Sequence, residues 1–147
     1  MHKMENRKAW IGLLAKAPAD RLAALWNKVV ERPGFTYLRR PEIGGAMVRG
    51  RMGGTGAAFN LGEMTVTRCS VQINSGEVGH GYVQGRDMAK AETAALIDAL
   101  MQTHAAEAIR DTILTPLQAE METARTARAA KAAATKVDFF TMVRGED

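Results

Sequence analysis

The chain has 147 residues, of which 46% are hydrophobic, 24% charged and 5% aromatic, a balance that suits one globular domain and gives no case for disorder or a collagenous repeat. No stretch approaches 18 uninterrupted apolar residues, so no membrane span is expected, and the first residues lead into no signal-like apolar run, so a cytoplasmic location is expected. Charge is uneven: residues 1–51 carry 11 Lys and Arg against 4 Asp and Glu, whereas residues 52–147 carry 9 against 12. A basic front suits an acidic protein partner, a nucleic acid or an anionic substrate, and does not choose among them.

Near the start, Trp10, Leu13, Leu14 and Ala17 fall at helical spacing, and Leu22, Leu25, Trp26 and Val29 repeat it after Pro18. Two short helices follow from this, with Pro18 in the first turn of the second and Pro33-Gly34 ending it. The period then changes. Residues 35–40, 46–52, 63–73 and 78–84 read as four strands of an antiparallel sheet separated by turn residues. Asn74-Ser75-Gly76-Glu77 joins the last two as a hairpin, because Gly76 takes positive φ at little cost.

Within residues 63–73 the apolar parity shifts, with Met64 and Val66 on one face and Cys69, Val71 and Ile73 on the other. Either a bulge near Thr67-Arg68 restores one buried face, or the strand is covered on both sides. Asp87 then stands as an N-cap before Met88, Ala91, Ala95, Leu96, Ala99 and Leu100, which predicts a helix over 87–102. Ile109, Ile113, Leu114, Leu117 and Met121 carry the helical period onward, with a break or kink at Pro116.

Beyond Met121 the sequence thins to alanines with Arg125, Arg128 and Lys131, a segment of high helix propensity with few large groups to bury. These three cations read as a solvated face. The chain then offers Val137, Phe139, Phe140, Met142 and Val143, an apolar cluster after a thinly anchored helix. Residues 1–135 are therefore expected to form one α+β domain, with two N-terminal helices, about four antiparallel strands and long C-terminal helices. Residues 136–147 are expected to form an extended docking arm for a partner surface, with a swap onto a second copy as the alternative.

Catalytic sets are not found. His2, His80 and His104 have no second ligand at metal spacing, Cys69 sits mid-strand as a small hydrophobe, and no Ser/His/Asp set can be assembled from local motifs. No metal and no catalytic residue is therefore assigned. Nucleic-acid binding is not expected, since aromatic residues are not interleaved with the basic ones.

The strongest anion-binding candidate is Arg51-Met52-Gly53-Gly54-Thr55-Gly56, whose successive backbone N–H groups can form a nest, with Arg49 and Arg51 projecting from one strand face. Gly53, Gly54, Thr55 and Gly56 equally suit a plain turn, because the loop lacks the Lys-Ser/Thr of a P-loop and leads into a strand. Arg86, at the strand-to-helix turn, and Arg68, at the suspected bulge, complete the basic group, with an ordinary ion pair as the alternative for Arg86. On these residues alone, a free-standing phosphate- or nucleotide-binding module is one reading of the chain.

Five blocks carry a family resemblance: the loop just described, Thr65-Val66-Thr67-Arg68, Val83-Gln84-Gly85-Arg86-Asp87, Ala95-Leu96-Ile97-Asp98-Ala99-Leu100-Met101-Gln102, and Lys136-Val137-Asp138-Phe139-Phe140-Thr141-Met142-Val143-Arg144-Gly145. In order and spacing they resemble the G subunit of the bacterial carbon–phosphorus lyase system. The resemblance implies a part in phosphonate breakdown, in a transferase complex with the H, I and L subunits. That complex displaces adenine from ATP by methylphosphonate, giving α-D-ribose 1-methylphosphonate 5-triphosphate. It also implies a core complex with H, I and J, in which I is the nucleosidase-like catalyst and J cleaves the carbon–phosphorus bond with S-adenosylmethionine and an iron–sulfur cluster. No cofactor is expected on this chain, whose single cysteine cannot hold such a cluster. The I subunit is the first partner expected, and the chain's own role is that of an assembly subunit.

Overall fold

The computed structural model describes residues 6–51 and 58–145, with side chains at residues 6–47 and 62–136. Helix α1 spans Arg7–Lys16 and begins where the Asn6 side chain accepts a hydrogen bond from the Ala9 N–H at 2.8 Å. It buries Trp10 and Leu14. Helix α2 spans Ala19–Trp26 and buries Leu22, Leu25 and Trp26. Pro18 occupies the N-cap rather than the first turn, its carbonyl accepting from Leu22 N–H at 3.0 Å. The helix ends at Trp26, well before Pro33-Gly34.

Three strands follow, β1 (Phe35–Arg51), β2 (Ala58–Ile73) and β3 (Val78–Gln84), in one antiparallel sheet of that order. The expected first two strands are thus a single 17-residue strand. Pro41-Glu42-Ile43-Gly44-Gly45 does not turn the chain, because β1 lies at the sheet edge, where a proline loses no ladder bond that matters. Two register shifts accommodate it. Between Tyr37 and Arg39, and again between Arg39 and Glu42, β1 advances one residue more than β2.

β2 runs against β3 without a shift from Val66↔Gln84 to Gln72↔Val78. The bulge considered near Thr67-Arg68 is therefore absent from this ladder, and Val66 and Thr67 are both buried, so the strand is covered on both sides there. The hairpin at 74–77 forms as expected, with Gly76 at φ +107° and Ile73 N–H donating to Glu77 O at 3.0 Å.

Helix α3 (Met88–Leu100) is capped by the Asp87 side chain, which accepts from Lys90 N–H at 2.9 Å. It is the central element, with every residue from Ala94 to Met101 buried. Met88, expected on the apolar face, is 49% exposed instead. A short α4 (Ala106–Ile109) and a π-helical turn (Arg110–Leu114) lead into α5 (Thr115–Gly145). The break expected at Pro116 takes the form of that wide turn, which absorbs the missing N–H and lets the helix continue.

Helix α5 buries Leu117 and half-buries Met121, and then every side chain from Glu122 to Lys136 is exposed. The backbone stays helical to Gly145, where an extended arm was expected. The reason is local: neither glycine nor proline interrupts residues 117–144, and the run of alanines before Lys136 propagates helix at low entropic cost.

Candidate functional site

Side chains in β2 and β3 alternate, and the odd positions Cys69, Val71, Ile73 and Val83 face the helices and are buried. On the opposite face, register brings together Arg39, Ser70 and His80 in one row and Glu42, Arg68 and Tyr82 in the next. Ser70 Oγ lies 2.9 Å from His80 Nδ1, and the Arg68 guanidinium stands over the Tyr82 ring at 5.5 Å.

A serine and a histidine are thus hydrogen-bonded after all, with a buried carboxylate near. They do not make a catalytic triad. Asp98 Oδ2 accepts from the backbone N–H of His80 at 2.8 Å, on the inner side of the strand, while the imidazole points outward. Among the described residues no group of three or more His, Cys, Asp and Glu could hold a metal ion, and no helix is long and apolar enough to cross a membrane.

Asp98 is the residue that sequence reading passed over. It is fully buried, yet Oδ1 accepts from Arg7 Nε at 3.1 Å and Trp10 Nε1 at 2.8 Å, and Oδ2 accepts from Arg7 Nη2 at 2.8 Å as well as from His80. Four donors from α1 and β3 therefore converge on one carboxylate of α3. The hydrogen bond and charge of Asp98 hold the Arg7 guanidinium above its usual pKa, against the opposing effect of burial. An acid set among Ala95, Leu96, Ile97, Ala99 and Leu100 was the available signal.

Cys69 is 1% exposed, and burial, with the charge of Glu92 adding to it, pushes its thiol up to about 11. A reactive thiolate is not formed there. The native chain at pH 8 is expected to resist a thiol-exchange reagent for many minutes and to release one equivalent only after denaturant is added. A stoichiometric burst from the folded protein would contradict this placement.

The basic residues singled out from sequence divide into two places. Arg49 and Arg51 stand in the last turns of the β1 ladder, paired with Asn60 and Ala58, so Gly53, Gly54, Thr55 and Gly56 belong to the connection between two antiparallel strands. Residues 52–57 and the side chains of Arg49 and Arg51 lie outside the described residues. Arg68 is eight residues along β2 from Asn60, roughly 26 Å at strand rise. It sits instead near the β3 end, where exposed Arg86 follows Gly85, whose φ of +92° turns the chain from strand to helix. Among Val137, Phe139, Phe140, Met142 and Val143, only the helical backbone is described.

One feature of the sheet bears on recognition. β3 accompanies β2 from Val66 to Gln72, and Gly85 N–H just beyond it donates to Thr65 O at 2.9 Å, so Ala58 to Met64 pair with β1 alone and the hairpin continues as a two-stranded ribbon. Such ribbons are marginal in water by themselves, and this one exposes Met47 (57%), with Ile43 (41%) exposed on the edge strand just before the ribbon begins.

The family model of the phosphonate metabolism protein PhnG matches residues 5–145. The chain is 44% identical over 142 residues to the α-D-ribose 1-methylphosphonate 5-triphosphate synthase subunit PhnG of Rhizobium meliloti (strain 1021), covering 97% of this chain and 91% of that protein. With a match across nearly its whole length, the chain belongs to the PhnG family of phosphonate metabolism proteins.

Proposed function

We propose that the chain is the assembly subunit of a synthase that makes α-D-ribose 1-methylphosphonate 5-triphosphate, working with the H, I and L subunits and standing in a core complex with H, I and J. In this reaction an oxygen of methylphosphonate bonds to the ribose C1′ of ATP as the C1′–N9 bond breaks, and adenine leaves with a proton on nitrogen. The nucleosidase-like I subunit supplies the chemistry, and this chain supplies surfaces. The observation that carries the reading is the unsupported β-ribbon. Its exposed Met47, the exposed Ile43 at its base and the two arginines of its β1 strand suit a companion protein better than solvent. In this role Arg49, Arg51 and the Gly53-Gly54-Thr55-Gly56 tip reach the rim of the companion's site, where N–H groups and guanidinium groups face triphosphate or phosphonate oxygens. Residues 136–147 act as a second docking element.

The test is reconstitution. The purified chain alone is expected to release no adenine from ATP and methylphosphonate, and release is expected to appear when the companions are added. Arg51→Ala should lower that rate about tenfold or more with the complex intact, as loss of one charge-assisted contact of roughly 1.5 to 3 kcal/mol requires. Exposed Lys28→Ala should leave it unchanged. Nucleotide binding by the chain alone, without any effect on companions, would favour the free-standing module instead.

A further inference from the structure

A groove of about 650 Å³ runs between the α1–α2 corner and the first exposed turns of α5. Leu13, Leu117 and Met121 form its apolar floor, and Lys16, Arg21, Arg125 and Arg128 stand around it. Two acids on the same wall are already engaged, Glu120 with Arg21 at 2.5 Å and Glu122 with Arg125 at 2.6 Å. Lys16 and Arg128 have no acidic partner among the described residues. The groove thus holds an apolar strip and two positive charges in excess.

The chain itself contains the complementary segment. Residues 137–147 hold Phe139, Phe140, Met142 and Val143, with Asp138, Glu146 and Asp147 against one cation, Arg144, which leaves two negative charges in excess. That segment cannot reach its own groove. Met121 and Phe140 lie on one continuous helix, about 28 Å apart at 1.5 Å per residue, and a helix without a break does not fold back.

We propose that the groove receives the C-terminal segment of a second copy, so that two α5 helices pair antiparallel about a two-fold axis. Each copy gives its tail and receives the other's, the self-complementary arrangement that closes a dimer. Pairing Met121 with Phe140 places the axis between Ala130 and Lys131. Ala129, Ala130, Ala132, Ala133 and Ala134 surround that point, and their small side chains let the two backbones approach where the helices cross. The same alanines bury nothing in the single chain, where all are exposed. This inference names the receiver of the tail and does not depend on the synthase reading.

The full chain is expected to run at twice its chain mass in size-exclusion chromatography with light scattering at micromolar concentration. Truncation before Val137 and the double substitution Arg125→Glu with Arg128→Glu should each give a monomer that still melts cooperatively, the truncated chain losing only the helix signal of the residues removed. Both arginines are exposed, so a charge reversal there does not threaten the fold. When Ala124→Cys and Val137→Cys chains are mixed under mild oxidation, cross-linking between the two variants should exceed cross-linking within either. A monomeric full chain overturns the proposal, as does a dimer that survives truncation, or one in which Val137→Cys links preferentially to itself. A monomer whose tail captures a companion subunit overturns it too, while leaving the synthase reading standing.

Discussion

Asp98→Ala is expected to cost about 3 to 5 kcal/mol of unfolding free energy, the range for removing one partner of a buried ion pair. For a domain whose net stability is about 5 to 15 kcal/mol this is a large share. The carboxylate is fully buried, and its four donors come from α1 and β3, so its loss strands the Trp10 indole N–H and the His80 N–H together with the Arg7 guanidinium. Arg7→Ala should cost less. The Arg7 side chain is 43% exposed, so water reaches what remains, and Asp98 keeps two neutral donors. Urea unfolding of both variants, with exposed Lys28→Ala as control, measures the difference. An Asp98→Ala midpoint close to the control would mean that α1 is held by its apolar face alone.

The helices and the 74–77 hairpin were legible in the sequence because each carries its own punctuation. Asp87 caps α3 by a side-chain bond to the third residue on, and Gly76 takes the positive φ that its turn needs. The merging of two expected strands into β1 was not legible. Pro41 and Gly44-Gly45 carry a strong local turn signal, and only the neighbouring strand shows that the chain runs straight through with two bulges. The long helix to Gly145 was misread for the opposite reason. An apolar cluster such as Phe139-Phe140 says that a segment must be covered and says nothing about its backbone, whereas the alanines before it favour helix locally.

The basic residues show the same division. Pattern alone grouped Arg68 with Arg49 and Arg51, because nothing in a sequence gives the distance along a strand that has yet to be placed. Register then puts Arg68 opposite Tyr82, in the three-stranded part of the sheet near the end of β3, and the other two toward the far end of the β1–β2 hairpin. Asp98 was missed because a charge inside an apolar helical face is usually an exposed edge of that face. Its partners Arg7 and Trp10 are 91 and 88 residues away, a pairing that no periodicity reveals.

Gly81→Ala is expected to destabilise the fold by about 3 kcal/mol or more, at or beyond the upper end of ordinary overpacking. A Cβ at Gly81 would lie 2.0 Å from the Ala91 carbonyl oxygen, and one at Gly79 would lie 1.9 Å from that of Ala95 and 2.7 Å from the Ala99 N. These are backbone atoms of α3, held by the helix's own hydrogen bonds, so no side chain can swing aside. Relief requires α3 to rise from β3. His80 lies between the two glycines, and its N–H bond to Asp98 at 2.8 Å stretches as the helix rises, so the clash also weakens the buried carboxylate's anchorage. The Ala91, Ala95 and Ala99 face of α3 and the two glycines are therefore one close-packed seam, in which the absence of side chains brings helix and strand together. Gly12 is the fitting control. It is exposed in α1 with nothing within 4 Å of a Cβ, and Gly12→Ala should raise stability by about 0.5 to 1 kcal/mol through helix propensity. Thermal melts and urea midpoints of the two variants should move in opposite directions, and a Gly81→Ala chain as stable as the parent would show that α3 does not sit on β3 at this distance.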